Sequence, residues 1–213
     1  RRSSKSLKAS KIFVHLYSHG ASVETTVSAQ AMKNVKITYH IYPDGKIDVK
    51  HQGAPIMDMV RFGTVLTMPR EFDSVKWYGK GPHENYIDRR VGARVGLFEM
   101  SVTDMEHHYM RPQENGHRTD VRYMEIRNAE GEGLKFTQKG ELPFAINCHH
   151  YSIDDLDKAT HIHKLTHKDM TTVCIDLIQR GIGGDTPGNA MLREPYIMHA
   201  KTKYSYEYSI EVL

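Results

Sequence analysis

The chain has 213 residues and a formal net charge of +3, from 29 Lys and Arg against 26 Asp and Glu. Basic and acidic residues are interspersed beyond a short basic cluster at the start, so nucleic acid is not expected as a partner. No apolar run approaches the roughly 18 residues that a membrane-spanning helix needs, so we expect a soluble chain without a membrane partner. Sandwiches of about 200–250 residues often form one unit, which predicts a single domain over residues 1–213.

Alternation of apolar and polar residues with a period of two dominates the chain and predicts β-strands. In chain order, the alternating stretches are 12–17, 22–28, 35–42, 47–51, 63–68, 74–77, 122–127, 134–137, 172–177 and 204–212. Between the third and the fourth, the sequence Pro43-Asp44-Gly45-Lys46 is typical of a tight turn and predicts a β-hairpin. The number of strands predicts an all-β sandwich.

Helical signal is weak and is best at 152–158, where Ser152 and Asp155 have capping-box spacing. Segment 79–120 is rich in polar residues, glycine and proline with little periodicity, which predicts a long functional loop. Cys148 and Cys174 each lie in a strand-like stretch, so we expect two buried free thiols. Two cysteines do not fix the compartment, which stays open between cytoplasm and periplasm.

The first polar cluster lies within 77–89 and consists of Trp77, Glu84, Asn85, Asp88 and Arg89. Such a set has the chemistry of a sugar site, because an aromatic face stacks on a pyranose while carboxylate, amide and guanidinium groups hydrogen-bond to its hydroxyls. The alternative is that these groups satisfy the polar backbone of their own loop. The residues alone leave both interpretations open.

A second cluster contains Glu114, Asn115, Arg118, Asp120 and Arg122. The last three alternate, so an extended chain would place them on one face. They are candidates for ligand contact, but an Arg/Asp network that braces the sheet is favoured for Asp120 and Arg122.

Histidines occur in three groups: His107-His108, His149-His150, and His161-x-His163 with His167. A His-x-His spacing places two imidazoles on one strand face. No cysteine or carboxylate completes a tetrahedral set at a familiar spacing, so we expect no metal and no cofactor in this chain.

Three segments in register resemble signature segments of the C-terminal domain of the large β-galactosidases of glycoside hydrolase family 2. They are Trp77-Tyr-Gly-Lys-Gly-Pro-His-Glu-Asn-Tyr-Ile-Asp-Arg89, Arg111-Pro-Gln-Glu-Asn-Gly-His-Arg-Thr-Asp-Val-Arg122 and Gly181-Ile-Gly-Gly-Asp185. The resemblance implies a mostly antiparallel β-supersandwich akin to that of galactose mutarotases, with one or two short helices. It also implies that the chain is a fragment of a larger enzyme that hydrolyses terminal β-galactosides such as lactose.

The resemblance places hydrolysis in a TIM-barrel domain, with any Mg or Na of the parent enzyme in that catalytic domain. It implies that this barrel is the partner of the chain, that the galactoside binds at the domain interface, and that the parent is a homo-oligomer. The chain lacks the alternation of strands and helices that builds a barrel, so no catalytic residue for hydrolysis is assigned.

In the family, a tryptophan shortly after the Gly-Ile-Gly-Gly-Asp segment contacts the sugar, whereas here Asp185 is followed by Thr186-Pro-Gly-Asn189. The residues expected to bind carbohydrate or form the domain interface are Trp77, Glu84, Asn85, Asp88, Arg89, Glu114, Asn115, Arg118 and Asp185.

Two other functions fit the residues. One is a mutarotase-like aldose 1-epimerase, in which a histidine and a carboxylate exchange protons with the sugar. The other is a carbohydrate-binding module, which would need a row of exposed aromatic residues. Tyr204, Tyr206 and Tyr208 alternate on one strand face and are expected to pack into a core instead.

Overall fold

The computed structural model describes residues 7–183 and 191–213, and β-strands dominate these residues. The strands are β1 (Lys8–Tyr17), β2 (Gly20–Ala29), β3 (Met32–Ile41), β4 (Ile47–Gly53), β5 (Arg61–Met68), β6 (Ser74–Gly81), β7 (Arg94–Ser101), β8 (Arg118–Val121), β9 (Tyr123–Arg127), β10 (Gly133–Lys139), β11 (Phe144–His149), β12 (Thr171–Gln179) and β13 (Tyr204–Val212). One helix, α1 (Ile153–Lys158), and two 3₁₀ turns (Ile162–Lys164 and Glu194–Tyr196) complete the described elements. The prediction of an all-β fold with little helix is confirmed.

The strands form two antiparallel sheets. The larger has nine strands in the order β1-β2-β3-β4-β13-β10-β9-β6-β7, and the smaller has four in the order β5-β12-β11-β8. Every predicted strand has a counterpart, and β3 and β4 form the predicted hairpin. Its turn is closed by a hydrogen bond from Tyr42 N to Lys46 O of 2.9 Å, with Gly45 at a positive φ of 85°.

Strand β7 lies inside segment 79–120, which the sequence predicted to be loop. Its apolar residues occupy both faces, since Val95 and Leu97 lie on one side and Phe98 and Met100 on the other. A strand without apolar and polar alternation gives no period-two signal. The prediction of a continuous loop is therefore wrong, although two irregular stretches remain at 82–93 and 102–117.

The hydrophobic core lies between the two sheets. Trp77 and Phe136 contribute to it from the larger sheet, and Ile146 and Ile175 from the smaller one. Burying a large apolar side chain contributes about 1.5–3 kcal/mol, so this layer is the main stabilising contact between the sheets. The tyrosine prediction is confirmed for the two rings that are fully buried, which are Tyr206 and Tyr208.

Two local predictions are also confirmed. Ser152 caps α1 by accepting a hydrogen bond from Asp155 N, and the Asp155 carboxylate accepts one from Ser152 N at 2.8 Å. Cys148 and Cys174 are free and buried.

Arg118, Asp120 and Arg122 do not share one face, so that prediction is wrong. The chain leaves the smaller sheet after β8 and enters the larger sheet at β9, and Asp120 has a positive φ of 56° at this crossing. Asp120 pairs with Arg90 at 3.1 Å, and the Arg122 guanidinium lies over the Tyr78 ring. Asp120 thus forms a partly exposed ion pair, whereas Arg122 contacts the Tyr78 ring and donates to the Asp120 backbone oxygen.

The smaller sheet buries polar residues on the face opposite the core. Asp176 on β12 lies directly across from Gly63 on β5. A Cβ at position 63 would lie 1.9 Å from Asp176 Oδ1 and 2.6 Å from Asp176 Cα. Only glycine at this position leaves room for the buried carboxylate.

We expect the substitution G63A to lower the free energy of unfolding by about 1–3 kcal/mol, as overpacked interiors do, because the new methyl group collides with backbone as well as carboxylate. Urea unfolding followed by circular dichroism measures the change. G92A is the matched control, since a Cβ there has no heavy atom within 4 Å. Equal stability of the two variants would contradict the assigned role of Gly63.

Candidate functional site

The candidate site is the covered polar face of the smaller sheet. Asn147 and His149 alternate on β11, and Asp176 lies on the same face of β12. All three side chains are buried. Residues 114–116 of the loop before β8 cover them, because Asn147 Nδ2 donates to Asn115 O at 2.7 Å and His149 Nε2 to the same oxygen at 3.0 Å.

Arg61 connects the two edges of this site. Its Nη2 atom donates to Glu114 Oε1 at 2.9 Å and to Gln179 Oε1 at 2.6 Å. Its Nε atom lies 2.9 Å from Asp176 Oδ2, but neither atom has hydrogen-bond geometry, so this contact is an ion pair only. Glu114 Oε1 also accepts a hydrogen bond from Asn147 Nδ2 at 2.7 Å.

For both Asp176 and Arg61, burial and charge pairing shift the pKa in opposite directions. Burial raises the pKa of the Asp176 carboxyl to about 7, and the neighbouring Arg61 charge opposes that rise. Burial also disfavours the charged form of Arg61, but Asp176 and Glu114 outweigh it and raise the guanidinium pKa above its usual value. Arg61 therefore stays charged and holds the second carboxylate, Glu114, in place.

Glu84 is the centre of a second set of contacts at the outer edge of the site. It pairs with Arg89, accepts a hydrogen bond from the Tyr109 hydroxyl and accepts another from Gly116 N at 2.8 Å. Burial would raise the pKa of this carboxyl, but the donors outweigh burial and hold the pKa below its usual value. Glu84 thus joins loop 82–93 to loop 102–117 as an ionised group.

Two buried imidazoles bond to backbone oxygens of the covering loops. His117 Nδ1 is 3.0 Å from Asn85 O, and His149 Nε2 is 3.0 Å from Asn115 O. Because a carbonyl oxygen only accepts, these nitrogens carry the protons, and His117 Nε2 and His149 Nδ1 are left with free lone pairs. Burial is the main reason that the pKa of each imidazole falls to about 3, so both are neutral.

Several predicted site residues lie in the interior. The Trp77 ring is 0% exposed and donates from Nε1 to Lys80 O, so a sugar has no access to it in this structure. Asn85 Oδ1 accepts two hydrogen bonds from Thr119. Asn115 bonds to its own loop and to Tyr151.

Arg118 is likewise a buried clamp. Its guanidinium donates to the backbone oxygens of Met105, Gly116 and Pro82 at 2.8, 2.6 and 3.0 Å, and it lies over the Trp77 ring. These bonds tie both irregular loops to the sheet. For Trp77, Asn85, Asn115 and Arg118, the contacts are those of an internally satisfied loop rather than of a sugar-binding surface.

Asp88 and Arg89 are the predicted residues that lie closest to solvent. The Arg89 side chain is 51% exposed. Asp88 Oδ2 accepts a hydrogen bond from Gly183 N at 2.8 Å, and a Cβ at Gly181 would meet the same oxygen at 2.5 Å. Asp88 therefore anchors the segment that leads towards Asp185, which itself lies outside the described residues.

Sequence reasoning missed Arg61, His117, Asn147 and Asp176 as site residues. Asp176 carried a signal, because a lone carboxylate inside the apolar run Val173–Ile178 must be paired if that strand is buried. Asn147 and His149 carried a weaker one, as alternating polar residues on a strand. Arg61 lies at the start of its strand and has no local signature.

A surface cavity of about 400 Å³ lies apart from these residues. It is lined by Pro69, Arg70, Glu71, Asp73, Thr103, His150 and Asp169. His150 Nε2 lies 2.8 Å from Asp73 Oδ1 there. No predicted site residue lines this cavity.

Residues 7–183 and 191–213 contain neither a metal-binding cluster nor a membrane-spanning helix. Within these ranges, no three His, Cys, Asp or Glu side chains form a group that could hold a metal ion. No helix in the described part of the chain has the length and apolarity to cross a membrane.

The geometry defines a class of protein: an antiparallel β-sandwich in which long loops cover a buried polar face. Residues 2–210 match the family described as beta galactosidase small chain, and the chain belongs to that family. It is 35% identical to a β-galactosidase of Priestia megaterium over 90% of this chain and 19% of that protein. A β-galactosidase of Halalkalibacterium halodurans is 31% identical over 83% of this chain and 18% of its own length.

Solved structures with a similar arrangement have low sequence identity. A galactose mutarotase related enzyme from Lactobacillus acidophilus has a TM-score of 0.44 and 10% identity, over 96% of this chain and 71% of that chain. A GalM/aldose epimerase homologue from C. elegans has a TM-score of 0.45 and 9% identity, over 96% of this chain and 69% of that chain.

The buried imidazoles make stability depend on pH. Burial lowers the pKa of His117 and His149 to about 3 and of His51 to about 4, so unfolding at lower pH takes up protons. Their contribution is complete above pH 6.5 and is lost as pH falls. The Asp176 carboxyl, whose pKa is raised to about 7, binds one proton more tightly in the folded chain than in the unfolded chain. Its contribution to stability therefore has the opposite pH dependence and is lost as pH rises through 7.

We therefore expect the free energy of unfolding to fall between pH 6.5 and 4.5 by on the order of 2 kcal/mol per pH unit. Urea titrations at intervals across this range measure the slope. The variant H117N should reduce the slope by about one proton, which is about 1.4 kcal/mol per pH unit. A flat profile for the unsubstituted chain would show that the histidines are not buried in neutral form.

Proposed function

We propose that the chain is one domain, over residues 1–213, of a larger β-galactosidase, and that it supports a catalytic domain elsewhere in the polypeptide. The observation that carries this proposal is the family match over residues 2–210, in a chain that spans only 19% of a relative named β-galactosidase. The reaction of the whole protein would be hydrolysis of terminal β-galactosides.

The state of the carboxylates supports an accessory role rather than hydrolysis by this chain. A retaining glycosidase needs a nucleophile and an acid/base about 5–5.5 Å apart, both facing the sugar. Glu84 is engaged by Arg89, Tyr109 and Gly116 N. Glu114 is held by Arg61 and Asn147. Both carboxylates therefore serve to position loops.

The surface next to the site is suited to contact with another domain. Val60 and Ile182 are exposed apolar residues, and Val60 O accepts a hydrogen bond from Arg180 N where β12 ends. Arg89 and Asp88 lie on the loop beside Gly183. We propose that this edge packs on the catalytic barrel and that Asp88 and Arg89 help to shape the rim where a galactoside enters.

The aldose 1-epimerase alternative would need an acid and a base that touch the sugar. Asp176, His117 and His149 have suitable chemistry, because they include a carboxyl with a pKa near 7 and two free imidazole lone pairs. All three are buried beneath the loops, so a sugar has no contact with them in this arrangement. The accessory role is favoured for this reason.

The purified chain should hydrolyse no chromogenic β-galactoside and should not accelerate the mutarotation of α-galactose. Galactosidase activity should appear when the remainder of the parent polypeptide is supplied, measured by release of the chromophore. Mutarotation by the chain alone, followed by optical rotation, would favour the epimerase instead. Failure of the complete polypeptide to hydrolyse galactosides would overturn the proposed function.

In the complete enzyme, D88A should raise KM roughly three- to ten-fold, as expected when a hydrogen bond worth about 1 kcal/mol no longer positions the rim segment. The kcat should change less than two-fold, because no reacting group is lost. D44A is the matched control, since the Asp44 carboxylate accepts a comparable backbone hydrogen bond from Lys46 N at 3.0 Å in the β3–β4 turn. If both variants behave alike, Asp88 has no role at the rim.

A further inference from the structure

Strand β1 is an uncovered edge of the larger sheet. It pairs only with β2 in the sheet, and all ten of its residues are exposed. The exposed residues include Leu16 at 82%, Ile12 at 66% and Phe13 at 53%. A long apolar edge strand presents unpaired backbone groups as well as apolar side chains, which soluble proteins normally cover or protect with charge.

Five of the six residues in the second half of β1 are apolar or aromatic. Ile12, Val14 and Leu16 share one face, and His15 lies between Phe13 and Tyr17 on the other. In an antiparallel sheet the apolar face of a strand normally packs on the core. The face of Ile12, Val14 and Leu16 is wholly apolar, yet the described residues leave it exposed.

The hairpin is a defined element rather than a loose end. Its antiparallel register runs from the Tyr17 and Gly20 pair at the turn to the Lys8 and Ser28 pair. The turn is held close to β3, because a Cβ at Gly20 would lie 2.2 Å from Ile41 O. The family match begins at residue 2 and so includes the whole hairpin.

A second copy of the chain would not cover this surface well. Edge-to-edge pairing of two β1 strands would satisfy the free backbone groups but would leave the apolar face of Ile12, Val14 and Leu16 in water. The register shift between Ser10 and Ile12 would also interrupt a continuous ladder between copies. Cover of that face requires apolar side chains that pack over the strand.

We infer that the β1–β2 hairpin docks into an apolar cleft formed by another part of the same β-galactosidase polypeptide. This inference rests on the proposed function, since the chain spans only 19% of the length of a relative of that name, and so the occupant is assigned to the rest of such a polypeptide. The cleft supplies apolar groups to the face of Ile12, Val14 and Leu16. Lys8 and Lys11 lie in the half of the strand away from the turn.

Thiol labelling in the complete enzyme tests the inference. L16C introduces a thiol on the β1 face, and L142C introduces one at a control leucine that is 58% exposed between β10 and β11. Cys148 and Cys174 do not interfere, because both are buried and burial raises their thiol pKa, that of Cys148 to about 12. Peptide mass spectrometry reads the labelling rate at each position.

We expect L16C to label at least ten-fold more slowly than L142C, at a rate that does not change on dilution. Equal rates would overturn the inference. Slow labelling that becomes fast on dilution would overturn it as well, because the occupant would then be a second copy. If L16C does not fold, the rate of backbone hydrogen exchange at residues 7–17 in the unsubstituted enzyme measures whether β1 is covered.

The docking inference and the proposed function can fail independently of each other. Galactosidase activity of the same preparation is assayed in parallel. An active enzyme with an unprotected β1 strand contradicts only the docking inference. A polypeptide that protects β1 but hydrolyses no galactoside contradicts only the proposed function.

Discussion

The buried charge of Arg61 determines the arrangement of the loops around the smaller sheet. A buried guanidinium without partners would be strongly destabilising, so each of its nitrogens must meet an acceptor or a carboxylate. Asp176 and Gln179 come from the neighbouring strand, whereas Glu114 comes from the loop before β8. The loop therefore has to lie across the sheet face. Once it does so, residues 114–116 also satisfy Asn147 and His149.

Buried charged groups farther from Arg61 also need partners, and the loops supply them. Glu84 accepts from Gly116 N and from side chains of both irregular stretches, while Arg118 donates to three backbone oxygens beneath them. These charged groups are costly to bury and are retained only when all of their partners are in place. Long irregular segments thus acquire one conformation without regular backbone pairing. Asp88 extends this order to Gly183 at the end of the described segment.

The strands were predictable where their two faces differ in polarity, because the period-two pattern records that difference. β7 has apolar residues on both faces, and the pattern vanished there. Residues 77–89 and 114–118 were correctly marked as chemically unusual, but their burial was not visible. The Arg118 guanidinium lies over the Trp77 ring, although the two residues are 41 positions apart in the sequence. Arg61 and Asp176 form an ion pair across strands that are distant in sequence, and a single sequence carries no signal for such a pairing.

The distribution of burial constrains how such a chain contributes to an enzyme. Its buried charged groups, such as Arg61 and Asp176, face one another and hold the loops in place. The exposed apolar residues of the described chain include those of β1 and those beside the end of β12. Burial of such surface in an interface stabilises association. Exposed apolar surface beside loops of fixed shape is suited to association, because burial of the apolar groups stabilises an interface while the loops keep their geometry.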